Sequence, residues 1–314
     1  MKPVLRLPFL FLVAALWIHF VVPASAQDHS SKLLVSPDWL EKQIASNSKL
    51  CIIDLPMRKT NYETGHIPGA VYLDWRKDII ASEQQSLYQL PKKEVMEKLL
   101  RRIGVTPETT VVATDNLQNR TAVRLYYTLK YFGHKDVRIL NGGTKAWVAA
   151  KKELSKDAPK IEPTKYEIKK LNNDYVVKLE AVQDAIDDAG CKLVDGRPWV
   201  QYSGLVPGKV FHTNKPHSRP GHVPTAESIP WTDNLNEDGT FKTLKELKEL
   251  YEARGIKTDS KVITYCNEGL HAAMPWFILK ELIGNANVTV YDNSMAEWAN
   301  LDETPLNKSD KASK

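Results

Sequence analysis

Apolar positions along the chain fall into two alternating patterns. Short β-branched runs lie at residues 52–54, 111–115, 137–140, 193–195, 262–266 and 288–291, and their near-continuous apolar character predicts strands buried on both faces. Between them, apolar residues recur every three to four positions. Val95, Leu99 and Leu100 mark a helix over 92–102, and Leu247, Leu250 and Tyr251 mark one over 244–254, with further helices expected at 121–131 and 272–282. Gly104 and Gly255 stand where the first two of these should end. Strands alternating with helices of about ten residues predict an α/β protein with mainly parallel sheets flanked by helices.

The pattern occurs twice. Gly65-His66-Ile67-Pro68-Gly69-Ala70 recurs as Gly221-His222-Val223-Pro224-Thr225-Ala226, with Trp75 and Trp231 following. Asp54 and Asp195 end matching strands 141 positions apart, whereas the run 111–115, its counterpart 262–266, and the closing Trp147 and Trp298 are 151 apart. The second copy carries about 15 extra residues between Asp195 and Gly221, among them His212, Lys215, His217 and Arg219. These either border a pocket mouth and add positive charge or form a solvated basic loop. Residues 151–173, rich in Lys, Glu and Pro, read as a linker, and 306–314 as a mobile tail. The expected organisation is a leader over 1–26, one domain over 27–162, a second over 163–305, and the tail.

Composition changes this picture little. With 314 residues, 42% hydrophobic and 26% charged, the chain fits two ordinary globular domains. Lys2 and Arg6, the apolar stretch 9–22 and Ala24-Ser25-Ala26 read as a secretory signal cut before Gln27, so a periplasmic or secreted protein is expected, without stable membrane insertion. Losing those two cations lowers the formal charge from +5 to +3, too little to argue for nucleic acid. Three cysteines cannot all pair in an oxidising compartment. Cys51 and Cys191 sit in apolar runs and read as buried small hydrophobes.

Cys266 is different. It lies at the carboxyl end of an expected strand, a few residues before an expected helix, where open α/β sheets bind ligands. The segment Asn267-Glu268-Gly269-Leu270-His271 is short enough to wrap a sulfur and aim several backbone N–H groups at it. Such a field is expected to favour thiolate over thiol, and the thiolate is the nucleophile.

The tandem Asp-ended strands, the Gly-His-x-Pro turns and the closing tryptophans resemble the tandem-domain rhodanese (thiosulfate and mercaptopyruvate sulfurtransferase) family over about residues 33–303. The resemblance implies a catalytic second domain with Cys266 at the head of a six-residue loop. The first domain would be non-catalytic, since its matching loop begins with Asp115. It implies that Cys266 takes sulfane sulfur from a small anionic donor as a persulfide and passes it to a thiol or cyanide, with no cofactor or metal and in ping-pong fashion. Backbone N–H groups of Asn267, Glu268, Gly269, Leu270, His271 and Ala272 would stabilise the persulfide anion. Arg197, in Asp195-Gly196-Arg197, would hold the donor's anionic group, with Asp195 fastening the loop; a surface loop arginine is the other reading.

The Asn267-Glu268 pair after the cysteine departs from both family patterns: Arg and Lys for thiosulfate, Gly and Ser for mercaptopyruvate. A carboxylate at 268 repels a dianion and raises the thiol pKa unless it faces solvent or a cation. His271 either compensates when protonated, serves as acid or base, or packs the loop. Thiosulfate is the favoured donor because the Gly-Ser pair is missing. The alternatives are 3-mercaptopyruvate, or an exported sulfur carrier or binding protein without turnover, and a protein sulfur acceptor is also compatible. A cysteine phosphatase is excluded by Ala272, which stands where its phosphate-gripping arginine is required. The eight scattered histidines give no metal-ligand spacing.

Overall fold

The computed structural model describes residues 30–80, 90–210 and 214–309. The expected leader, His212 and the end of the tail lie outside these.

Each copy forms one five-stranded sheet. In the first, β1 (Leu34–Val35), β2 (Leu50–Asp54), β3 (Val71–Tyr72), β4 (Thr110–Thr114) and β5 (Val137–Leu140) lie in the order β1-β5-β4-β2-β3. In the second, β6 (Val176–Val177), β7 (Cys191–Asp195), β8 (Glu227–Ser228), β9 (Lys261–Tyr265) and β10 (Val288–Tyr291) repeat that order as β6-β10-β9-β7-β8. Every pairing is parallel. Asp54 registers with Thr114 and Asp195 with Tyr265, so Asp115 and Cys266 leave the carboxyl ends of equivalent central strands.

The repeated Gly-His turns have one structural role. His66 stacks on Tyr62 and His222 on Tyr202, both with ring centroids 3.7 Å apart, and each Nδ1 meets the carbonyl of its tyrosine. Each tyrosine hydroxyl then donates to the alanine carbonyl that ends the turn, Ala70 or Ala226.

Three expectations need correction. In the Lys93–Arg102 helix, Met96 is buried with Leu99 and Leu100 while Val95 faces solvent, so the inward stripe is displaced by one residue. The chain at 306–309 is anchored, because Asn307 exchanges both backbone hydrogen bonds with His222 and Ser309 donates to Ser203. The linker is tied to the first domain: Tyr166 and Ile168 are buried, His134 Nδ1 bonds the Tyr166 hydroxyl, and Arg101 donates to the Tyr166 carbonyl.

One hydrophobic cluster spans both domains, and each domain keeps a second cluster of its own. The Arg120–Tyr131 helix packs on Ala273–Trp276 and its π-helical continuation, Phe277–Ile283. Tyr126 meets Phe277 edge-on and Tyr127 meets Trp276 likewise, at 4.8 and 4.9 Å between centroids. The helix expected over 272–282 is partly π-helical: Ala273–Trp276 is α-helical, with Pro275 tolerated in its first turn, and Phe277–Ile283 is π-helical.

Candidate active site

Cys266 follows β9 directly, and its side chain is 1% exposed. The backbone N–H groups of Glu268, His271 and Ala272 face its sulfur and act to lower its pKa, so the wrapped loop read from the sequence is present. Its net effect has the opposite sign to the one expected. Burial pushes the Cys266 thiol above its ordinary value, the three amides only oppose that, and the Glu268 carboxylate adds to the rise. A water-excluding pocket penalises the charge more than three donors stabilise it.

A second layer sets the loop's shape. Ser294 Oγ accepts from the N–H groups of Cys266 (3.0 Å) and Gly269 (3.2 Å), and itself donates to the Tyr291 carbonyl. Gly269 has φ +81°, and a Cβ there would overlap Asp292 Oδ1, so only glycine suits the position. Asp292 is held by Arg124 of the first domain, with Nη1–Oδ1 at 2.5 Å and Nη2–Oδ2 at 3.1 Å, and Nη1 also donates to the Gly269 carbonyl at 3.1 Å.

Arg197 is neither a surface arginine nor an open anion clamp. Its guanidinium is buried, with Nε and Nη2 on the Asp195 carboxylate at 2.6–3.0 Å and Nη2 also on the Gly221 carbonyl. Asp195 thereby fastens the loop, and its anionic partner more than offsets the desolvation of Arg197, whose charge also faces Cys266. For Arg197 to bind a donor, its remaining nitrogen, Nη1, has to serve.

The described part of the insertion is a solvated basic loop only in part: Lys209 and Lys215 are exposed, whereas His217 is buried. His217 Nε2 meets Asn267 Oδ1 at 3.0 Å, and Asn267 Nδ2 donates to Gln201 Oε1 at 2.9 Å. Gly208 lies so close that a Cβ would overlap Asn267 Oδ1. Ser218 is fixed to Asn300, while Arg219 is fixed to carbonyls of Trp298, Leu301 and Thr304. The described part of the segment therefore lies against the sulfur loop at Asn267 as an anchored flap. Burial lowers the His217 pKa to about 4 and leaves the ring neutral, so its basic character is lost; Lys215 is exposed.

Glu268 is buried rather than turned to solvent. His271 stacks on Trp231, with ring centroids 5.3 Å apart, and its Nε2 lies 3.5 Å from Arg120 Nη1 of the first domain. Burial, helped by Arg120, lowers its pKa to about 3, so it is no compensating cation at neutral pH. Leu270 and Ala272 are buried, and the Ala272 carbonyl accepts from Thr264 Oγ1.

The first-domain loop holds the same kind of cradle around a different anion. Asp115 Oδ1 accepts from the N–H groups of Leu117 and Asn119, and Oδ2 from those of Thr121 and Ala122 and from Thr121 Oγ1, all at 2.8–3.0 Å. Neighbouring Asp54 has no counterpart of Arg197 among the described residues. Its Oδ1 is buried without a partner among the described residues, and burial together with Asp115 raises its pKa to about 7.

The sequence reading missed Arg124, Asp292 and Ser294. The repeat held a signal for two of them, since Asp292 and Ser294 stand where the first copy has Asn141 and Gly143. No local pattern points to Arg124, which reaches its partner across 168 residues. Among the described residues, no group of three or more His, Cys, Asp or Glu side chains is arranged to hold a metal ion. No described helix is long and apolar enough to cross a membrane.

The rhodanese-like domain profile matches residues 36–150 and again 178–301. The sulfur carrier protein TtuD of Thermus thermophilus is 34% identical over 280 residues, covering 88% of this chain and 97% of that protein. A putative thiosulfate sulfurtransferase of Saccharopolyspora erythraea is also 34% identical, over 275 residues, covering 88% and 96%. The crystal structure of SseA from Escherichia coli, a 3-mercaptopyruvate sulfotransferase, superimposes with a TM-score of 0.72 at 28% identity, covering 84% of this chain and 98% of that one. The duplicated sheet, the paired loops and these matches agree: the chain belongs to the rhodanese-like family, as a tandem-domain sulfurtransferase.

Proposed function

We propose that Cys266 carries sulfane sulfur from a small anionic donor, thiosulfate in preference to 3-mercaptopyruvate, to a thiol or cyanide. The observation that carries this is the convergence of three backbone amides on one sulfur atom at the carboxyl end of a central strand. In the first half-reaction the Cys266 sulfur attacks the donor's sulfane sulfur. A Cys–S–S bond forms, the donor's S–S bond breaks, and its electron pair leaves with sulfite. In the second, the acceptor attacks the outer sulfur, and the Cys266 thiolate leaves with the electrons of the broken S–S bond. The amides of the loop balance the anion left on the persulfide, much as an oxyanion hole does. The thiol proton has to leave before attack, so turnover rises with pH through neutrality rather than reaching a plateau near pH 7.

Closure of the flap favours a second reading, a sulfur carrier that loads and holds sulfur without turnover; the Thermus relative bears that name. Intact-mass analysis after exposure to thiosulfate, 3-mercaptopyruvate or polysulfide tests both. A gain of one sulfur, lost in Cys266→Ser, together with thiocyanate release from cyanide, supports the enzyme. Loading without release supports the carrier. No loading from any donor sinks both. The exported location is part of the same proposal, and N-terminal sequencing of the secreted protein should begin at Gln27.

A further inference from the structure

Both neighbours of the Gly269 backbone lie outside the sulfur loop. Its N–H goes to Ser294, and its carbonyl goes to Arg124, which belongs to the other domain. A trans peptide holds C=O and N–H on opposite sides, so fixing the Gly269 carbonyl on Arg124 turns the Leu270 N–H away from it. The two amides that follow, His271 and Ala272, are among those that face the Cys266 sulfur. Arg124 thus grips the hinge of the cradle.

We propose that Arg124 is a positioning residue for the Cys266 loop, so that the first domain supplies part of the sulfur-transfer machinery. This rests on Cys266 being the sulfur-carrying group.

Stability alone is a poor reason for this contact. The Arg124 guanidinium is fully buried, and its Nε has no hydrogen-bond partner among the described residues. A buried ion pair with an orphaned donor is one that apolar residues of similar size commonly replace without loss of stability. Its geometry, by contrast, is specific. The planar fork spans both Asp292 oxygens and still reaches the Gly269 carbonyl, which a lysine point charge cannot do. The Leu90 N–H adds a further donor to Asp292 Oδ2, again from the first domain. The charged and titratable groups around the guanidinium are Asp292, the Tyr127 ring at 5.3 Å and Cys266 itself. The arrangement runs one way only, because the positions matching Arg124 and Asp292 in the repeat are Pro275 and Asn141.

The deciding experiment compares the full-length protein with the double variant Arg124→Met/Asp292→Leu, which removes both charges together. Thermal melting reports folding, mass-monitored loading with thiosulfate reports persulfide formation, and iodoacetamide labelling from pH 6 to 10 reports Cys266 ionisation. The double variant is expected to melt near the wild type while loading at least about tenfold more slowly, with its labelling profile moved to higher pH by about one unit. Arg124→Lys should lower kcat for thiosulfate with KM unchanged, because Arg124 does not touch the donor; it decides by the same readouts should the double variant not fold. Wild-type loading and labelling in either folded variant overturns the proposal. Failure of the wild type to load overturns the sulfur-transfer reading instead, and the labelling profile, which needs no donor, still judges Arg124.

Discussion

Asp54 offers a direct test of the electrostatics of the first domain. Its carboxyl ends β2 as Asp195 ends β7, but Asp195 has Arg197, whereas among the described residues Asp54 has no comparable cation and the Asp115 carboxylate lies beside it. Burial and that neighbour raise its pKa from 3.8 to about 7. The folded protein therefore binds a proton at Asp54 that the unfolded chain releases, and stability falls as pH rises through that window. Three pKa units at 1.36 kcal/mol each give a cost of about 4 kcal/mol, absent below the unfolded value and complete above pH 7. Asp54→Asn keeps the shape and removes the titration. Urea unfolding of both proteins at pH 4.5 and pH 8.5 should show the variant gaining most of this difference at the higher pH and little at the lower. A variant-minus-wild-type difference that is equal at the two pH values refutes the reasoning.

Other perturbations have equally definite outcomes. Asp115→Asn leaves amide donors facing an NH2 group and should cost about 3 kcal/mol in urea unfolding, even though it removes the repulsion on Asp54. His217→Ala cuts the bond from flap to Asn267 and should speed labelling of Cys266 by a bulky thiol reagent several-fold, with only about 1 kcal/mol lost in stability; unchanged labelling means that the flap does not control access. Gly269→Ala places a methyl group on Asp292 in a left-handed backbone and should abolish loading of Cys266 by thiosulfate. Below pH 6.5, unfolded histidines take up protons that His217 and His271 refuse until about pH 4 and about pH 3, so stability should fall with acidification. In the doubly substituted His217→Gln/His271→Gln protein that slope should flatten.

Much of this molecule is readable from residue order because it is written twice. The repeat anchors located both sheets, paired Asp115 with Cys266, and placed the sulfur where a parallel sheet binds ligands. The wrapped loop also followed from spacing, since five residues between strand and helix leave few other paths. The balance of opposing energies was not readable. The sign of the Cys266 shift depends on how completely the flap and the other domain exclude water, and no local pattern carries that. Arg197 was legible as a partner for an anion but not as one already engaged by Asp195, two residues away. His217 and Arg219 of the insertion looked basic and solvated because their partners, Asn267 and the 298–304 turn, come from distant chain. Arg124 was invisible for the same reason.

The two loops together form a natural calibration pair. One is permanently clamped around a carboxylate; on the proposed function its twin would acquire an equivalent negative guest only when sulfur arrives. Amide exchange at Leu117, Asn119, Thr121 and Ala122 therefore marks the fully occupied limit, against which Glu268, His271 and Ala272 can be read within the same molecule, in the same tube, at every stage of the cycle.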